Sequence, residues 1–159
     1  MRKGASGLPL YEIALVVVLA GCILGVLGWR AVYLLEQAEH TAVGVVTANL
    51  RSVLQLEKAR RIVAGQSLSS LVNSTPVALL PSPLLGYCEN ISSKGSRNPP
   101  ECPWFYMEEE HVLYYRPQRH AHLQVESGPR GVVLGWKIAP GSVNGKDVEL
   151  LSIRPYQWF

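Results

Sequence analysis

The chain has 159 residues, 48 % of them hydrophobic and 17 % charged, and a formal net charge of +3. That length suits one small domain once an apolar N-terminal segment is set aside, and so slight a positive balance excludes a surface given over to a polyanion. No phosphate-binding glycine loop, nucleophile elbow or pair of catalytic carboxylates is present, so an enzyme is the least favoured class.

The N-terminus is a short basic leader, Met1-Arg2-Lys3-Gly4-Ala5-Ser6-Gly7, which runs through Leu8-Pro9-Leu10-Tyr11 to Glu12. An uncharged run of 17 residues follows, Ile13 to Trp29, and Ala31 to Leu35 can extend it beyond Arg30. That is long enough to span a bilayer. A carboxylate inside a membrane segment costs about 2.5 to 3.5 kcal/mol at full depth and less near the interface, so Glu12 marks a function or a partner. A secretory signal would end in small residues suited to cleavage, whereas this run continues directly into Trp29-Arg30-Ala31-Val32. A plain signal anchor is the stronger alternative, yet it gives no reason for Glu12 so soon after a leader ending in glycine. Arg2 and Lys3 hold the N-terminus in the cytoplasm and direct everything after Trp29 outward.

Gly7-Leu8-Pro9-Leu10-Tyr11-Glu12, followed by Ile13-Ala14-Leu15-Val16-Val17-Val18-Leu19-Ala20-Gly21, resembles the N-terminal signature of type IV prepilins and type II secretion pseudopilins. The resemblance implies that prepilin peptidase cuts between Gly7 and Leu8 and that the new amine of Leu8 is methylated. Glu12 then serves assembly by pairing with the N-terminal amine of a neighbouring subunit, so that two buried charges become one buried pair. The implied partners are the peptidase, other pilin or pseudopilin subunits, an inner-membrane assembly platform and the lipid bilayer. The implied localisation is the inner membrane, single-pass with a periplasmic C-terminal domain, and a filament after assembly. Pilus and secretion pseudopilus both stay open, and a minor subunit is the expected kind. Two positions depart from the pattern: Pro9 stands where a small polar residue is usual, and Trp29 where many relatives carry a kinking proline. Proline is tolerated in a first helical turn, and Gly21, Gly25 and Gly28 can supply flexibility instead. Loss of Arg2 and Lys3 with the leader leaves 13 basic against 12 acidic side chains, a balance of +1. Cys22, within the apolar run, is expected to pack as a small hydrophobe.

After the apolar segment there is no proline from Tyr33 to Ala64, and Val43, Val46, Leu50, Val53 and Leu54 recur at spacings of three and four. This predicts a helix with one apolar face, with Arg51, Gln55, Lys58 and Arg61 on its other faces. Gly65 is the expected stop, after the cations Lys58, Arg60 and Arg61, which complement the helix C-terminal dipole. A second short helix is expected from Ser67, with Leu68, Leu71 and Val72 inward. Thr75-Pro76 and Pro81-Ser82-Pro83 end it, and the segment from Pro76 to Pro103 reads as loop. Cys88 and Cys102 lie fourteen positions apart in the exported part, around the polar stretch Ser92 to Arg97, and in an oxidising compartment they form a disulfide. A metal site is the weaker reading, since neither belongs to a CxxC pair. The sequons Asn73-Ser74-Thr75 and Asn90-Ile91-Ser92 carry little weight in such an export context.

From Trp104 the texture is that of strands: Trp104 to Met107 and Val112 to Arg116 around Glu108-Glu109-Glu110-His111, then Ala121 to Glu126. Val132 to Ile138 and Val148 to Ile153 flank Asn144-Gly145, a turn dipeptide that predicts the last hairpin. Tyr156, Trp158 and Phe159 are expected to close the core. The predicted fold is therefore α+β and pilin-like, a long N-terminal transmembrane and amphipathic helix packed on a C-terminal antiparallel sheet. Its expected divisions are residues 1–7 (leader), 8–35 (transmembrane helix), 36–65 (periplasmic continuation), 66–103 (connecting region with the disulfide) and 104–159 (sheet). His120 and His122, at strand spacing, would share a face and could bind a metal, but no third ligand is evident and zinc takes four; His40 and His111 read as surface groups. Glu108 to Glu110 diverge too much for calcium. No cofactor is implied. The function so read is a structural filament subunit. The alternatives are a DNA- or ligand-binding minor pilin, with Lys94, Arg97, Arg116 and Arg119 as weakly supported nucleic-acid contacts, and an anchored periplasmic binding module that never polymerises.

Overall fold

The computed structural model describes residues 9–72, 74–88, 102–126, 128, 131–141 and 147–159. The chain divides into two units, one ending at Ala38 and one spanning Glu39–Phe159, and helix α1, Leu10–Val63, contributes residues to both. The class is α+β. Pro9 opens α1, its carbonyl accepting the N–H of Glu12 at 2.8 Å, which uses a proline where a missing N–H costs nothing. In the first unit the helix is long and apolar enough to cross a membrane, and none of its apolar window is buried.

The second unit folds around the C-terminal part of α1. Between Glu39 and Val63 the buried positions are Val43, Thr47, Leu50, Leu54 and Lys58, separated by steps of three and four, which is one face of a helix. Thr47 is accommodated there because its hydroxyl donates to the carbonyls of Val43 and Gly44, each at 3.0 Å. The expected position of Lys58 on a polar face is corrected: it continues the Leu50–Leu54 stripe at the next turn and is 6 % exposed. The helix ends as the sequence suggests. Gly65 takes φ +65°, its N–H donates to the Ile62 carbonyl at 3.1 Å, and Gln66 N–H donates to the Arg61 carbonyl at 2.9 Å. That is a Schellman closure, which needs the left-handed residue glycine supplies. Beyond it a 3-10 turn at Ser69–Leu71 buries Leu71, with Leu68 and Val72 packed on the core.

Strands β1 (Tyr87–Cys88), β2 (Trp104–Met107), β3 (Val112–Tyr115), β4 (Leu123–Val125), β5 (Leu134–Pro140), β6 (Val148–Ser152) and β7 (Tyr156–Trp158) follow. Five form one sheet in the order β1-β2-β3-β5-β6, and β4 pairs only with β7. Two expectations change here. The sheet is mixed, since β1, inside the segment read as loop, pairs parallel with β2; a strand of two residues, Tyr87 and Cys88, is too short to leave a periodic signal. The third predicted strand is not part of the main sheet, because β4 pairs with the C-terminal aromatic strand, Leu123 opposite Trp158. The last hairpin pairs Trp136 with Ser152 and Pro140 with Val148 as expected, while Asn144 and Gly145 lie outside the described residues.

β2 and β3 are buried along their whole length, which explains why they read as continuous apolar runs instead of alternating. Trp104, Tyr106, Leu113 and Tyr115 face Val43, Leu50 and Leu54 in the main core, together with Trp136 and Trp158. The alternate residues Phe105, Met107, Val112 and Tyr114 form a second cluster with Val133 on the other side. Cross-strand ring pairs bind the register: Trp104 on Tyr115 at 4.5 Å and Phe105 on Tyr114 at 5.4 Å, contributing about 0.5 to 1.5 kcal/mol each beyond burial. Gly135 belongs to this second side by necessity, for a Cβ there would lie 2.6 Å from the Cδ1 of Ile153 and 3.1 Å from the Tyr114 ring.

Candidate membrane and assembly segment

Glu12 lies in the first turn of α1, half-buried among its helical neighbours. Its Oε1 accepts a 3.4 Å hydrogen bond from the Tyr11 hydroxyl, and among the described residues no cation pairs with it. From Ile13 to Gly28 the helix presents only uncharged side chains, exposed on every face, and Cys22 is exposed among them. A helix apolar all round is stable only against lipid or other apolar helices. Trp29 and Arg30 close the run; the Arg30 guanidinium carbon lies 5.9 Å from the centre of the Tyr33 ring, one turn further on. Gly7 and Leu8, the expected cleavage and methylation positions, lie outside the described residues.

In the second unit the structure places Cys88 and Cys102 at disulfide distance, Cα atoms 5.9 Å apart. Cys88 ends β1 and Cys102 lies two residues before the start of β2, so the link holds together the neighbouring parallel strands. The residues between, 89–101, are outside the described set and with them Lys94, Arg97 and the second sequon; Asn73 is likewise outside.

Two polar clusters were not anticipated. The Glu39 carboxylate accepts three hydrogen bonds: from the Tyr115 hydroxyl at 2.8 Å, the Gln118 N–H at 2.6 Å and the Arg119 N–H at 3.1 Å. It thereby ties the helix to the end of β3 and the loop that follows. Burial, reinforced by the Glu39 hydrogen bond, pushes the Tyr115 phenol well above its usual range, so it stays the donor. At the other end of this helix segment the Lys58 ammonium meets Asp147 Oδ1 at 2.5 Å, and Val148 N–H donates to the same oxygen at 2.8 Å. The ammonium first, and then that N–H, hold the Asp147 carboxyl below the ordinary carboxylate range. Asp147 N-terminal to β6 is thus fixed to the helix. The sequence did contain one signal for this: Lys58 is four residues beyond Leu54 and eight beyond Leu50. Arg60 and Arg61 pair instead with Glu57, at 3.4 and 2.9 Å, and Arg61 also bonds Ser70.

The histidines are dispersed. His120 and His122 precede β4 and are not on a strand, so strand alternation does not bring them to one face. His122 stacks on Phe159 with ring centres 5.0 Å apart, and His40 lies 5.4 Å from Trp158. His111 sits at positive φ in the β2–β3 turn, within 3.3 Å of the Tyr106 hydroxyl; Glu110 in the same turn accepts from Tyr114 at 2.5 Å. Arg116 packs over Phe105, 5.9 Å from its ring centre. Among the described residues no three His, Cys, Asp or Glu side chains converge as a metal site would require. No protein-family model, curated protein or solved structure matches the chain.

Proposed function

We propose that this chain is a structural subunit, of the minor class, of a type IV pilus or a type II secretion pseudopilus, with a pilin-like fold. What carries the reading is the placement of Glu12: an acidic group in the first turn of a helix that is otherwise uncharged for four turns, directly after a leader ending in Gly7. The peptidase removes residues 1–7, and the freed, methylated amine of Leu8 is a cation. The apolar helix is stored in the inner membrane with its start at the cytoplasmic face and the sheet-bearing unit in the periplasm. On assembly, lipid around that helix is exchanged for the helices of neighbouring subunits, and Glu12 sets the register by pairing with the adjacent amine.

The α+β organisation and a disulfide in the exported unit are compatible with a mechanical role. Removing one member of a buried ion pair costs about 3 to 5 kcal/mol, which is enough to exclude a subunit from a filament in competition with intact ones. Glu12→Ala is therefore expected to insert in the membrane and lose its leader normally, while incorporation into sheared filaments, measured by immunoblot, drops at least about tenfold. Wild-type incorporation of that variant would remove the role assigned to Glu12.

A further inference from the structure

The two ends of the apolar helix carry side chains that suit neither water nor hydrocarbon. Tyr11 is 70 % exposed and Trp29 is 76 % exposed. Large amphipathic rings are ordinarily half covered, and they collect at bilayer interfaces, where the ring meets acyl chain and the N–H or O–H meets headgroup. Eighteen positions of unbroken α-helix separate Tyr11 from Trp29, which at about 1.5 Å per residue is about 27 Å. A hydrocarbon core is about 30 Å thick. The charges flank the same boundaries, Glu12 beside Tyr11 and Arg30 beside Trp29, with none between.

Arg30 gives the outer boundary a direction. Its guanidinium reaches toward the C-terminal turn, over the Tyr33 ring at 5.9 Å, and so away from the apolar run. Tyr33 Oη in turn accepts a hydrogen bond from Gln37 Nε2 at 3.3 Å. Trp29, Arg30, Tyr33 and Gln37 thus form a graded polar collar, aromatic first, then cationic, then amide, as the outward side of a membrane would require.

We infer that Trp29, Arg30 and Tyr33 form a lipid-headgroup anchor that holds α1 at the outer interface, with Tyr11 as its inner counterpart. The partner is the phosphate and glycerol layer of the bilayer, the guanidinium taking phosphate and the indole N–H taking ester or phosphate oxygen. The two rings lie slightly closer together than an average core is thick, so the spacing suits the thinner of two membranes. The inference rests on the reading of α1 as a membrane helix.

The test uses the full chain in phosphatidylcholine and phosphatidylglycerol vesicles, with phosphatidylcholines brominated at shallow, middle or deep acyl positions as quenchers of tryptophan emission. Subtraction of a Trp29→Phe sample isolates Trp29 from Trp104, Trp136 and Trp158. Trp29 emission should be quenched about twofold more by the shallow bromines than by the deep ones. Strongest quenching by the deep bromines would overturn the anchor, because the indole would then lie inside the hydrocarbon. A chain that floats with the vesicles while its Trp29 emission is untouched by any bromine would overturn it as well. A chain that fails to float with vesicles would instead defeat the membrane reading on which the anchor stands. Arg30→Glu supplies an independent measure: it should move the Trp29 quenching maximum to another depth, and an unchanged profile would remove Arg30 from the anchor.

Discussion

Replacing Glu39 by alanine removes a carboxylate that receives one hydroxyl and two backbone donors from a single stretch of chain. Hydrogen bonds to a charged acceptor contribute about 1.5 to 3 kcal/mol when well shielded. Of these three, the bond from Gln118 is exposed and the other two are half-buried, so about 1 kcal/mol each is the appropriate scale. The expected loss for Glu39→Ala is about 2 to 3 kcal/mol, because the Tyr115 hydroxyl is left without its acceptor in a half-buried setting and the two N–H groups must find water. A domain of this size shifts by roughly 3 to 5 °C per kcal/mol, which makes the expected fall in Tm about 6 to 15 °C. Tyr115→Phe deletes one of the three bonds, for about 1 kcal/mol, and the double variant should be little worse than Glu39→Ala alone, because the two share that bond. The assay is thermal unfolding of the full chain in detergent micelles, followed by emission of the buried residues Trp104, Trp136 and Trp158. A Glu39→Ala variant melting within a degree of wild type, or losses that add in the double variant, would refute the clamp.

The remaining expectations concern the disulfide and the two titrating pairs. Replacing Cys88 and Cys102 together by serine should cost about 3 kcal/mol, the chain-entropy value for a loop of about 15 residues, and reductant should lower the wild-type Tm to match while leaving the variant unmoved. Equal melting of wild type with and without reductant would argue that the pair contributes nothing. The Asp147 carboxyl is depressed in the folded state, so its contribution is complete above the ordinary carboxylate value of about 4 and is lost as pH falls below it. Asp147→Asn should therefore lie below wild type in stability at neutral pH and converge with it in acid, as read from urea midpoints. The Tyr115 phenol is raised, so the opposite arm holds: its contribution is complete below about pH 10 and declines as pH climbs beyond that, a decline Tyr115→Phe should lack.

Much of the fold is legible because long-period signals survive in a single sequence. The Val43–Leu50–Leu54 stripe repeats over several turns, and Gly65 stands where a left-handed closure is needed, so the helix and its stop follow from spacing alone. The last hairpin is equally visible, from two β-branched runs on either side of a turn dipeptide. What is hidden has a common cause, that of partners far apart in the chain. Nothing near Tyr87 and Cys88 says that they lie beside Trp104 and Phe105 in a parallel pair, and nothing near Leu123 says that it pairs with Trp158. Glu39 looks like any solvated helix residue until Tyr115 is brought to it across 76 positions. Lys58 is the instructive case. Its charge suggested a surface position, while its spacing from Leu54 pointed inward; spacing prevailed because Asp147 supplies the compensating charge. The N-terminal segment is a different case: Glu12 ahead of an uncharged run is a pattern in residue order, and α1 passes through it as one continuous helix.

Everything proposed about assembly requires that the chain lose its leader, since only then does a free amine exist for Glu12 to neutralise. Intact-mass spectrometry of the native membrane-bound protein measures this directly. The account predicts a species beginning at Leu8 with a methylated amine, and it is contradicted by a mass that still contains residues 1–7.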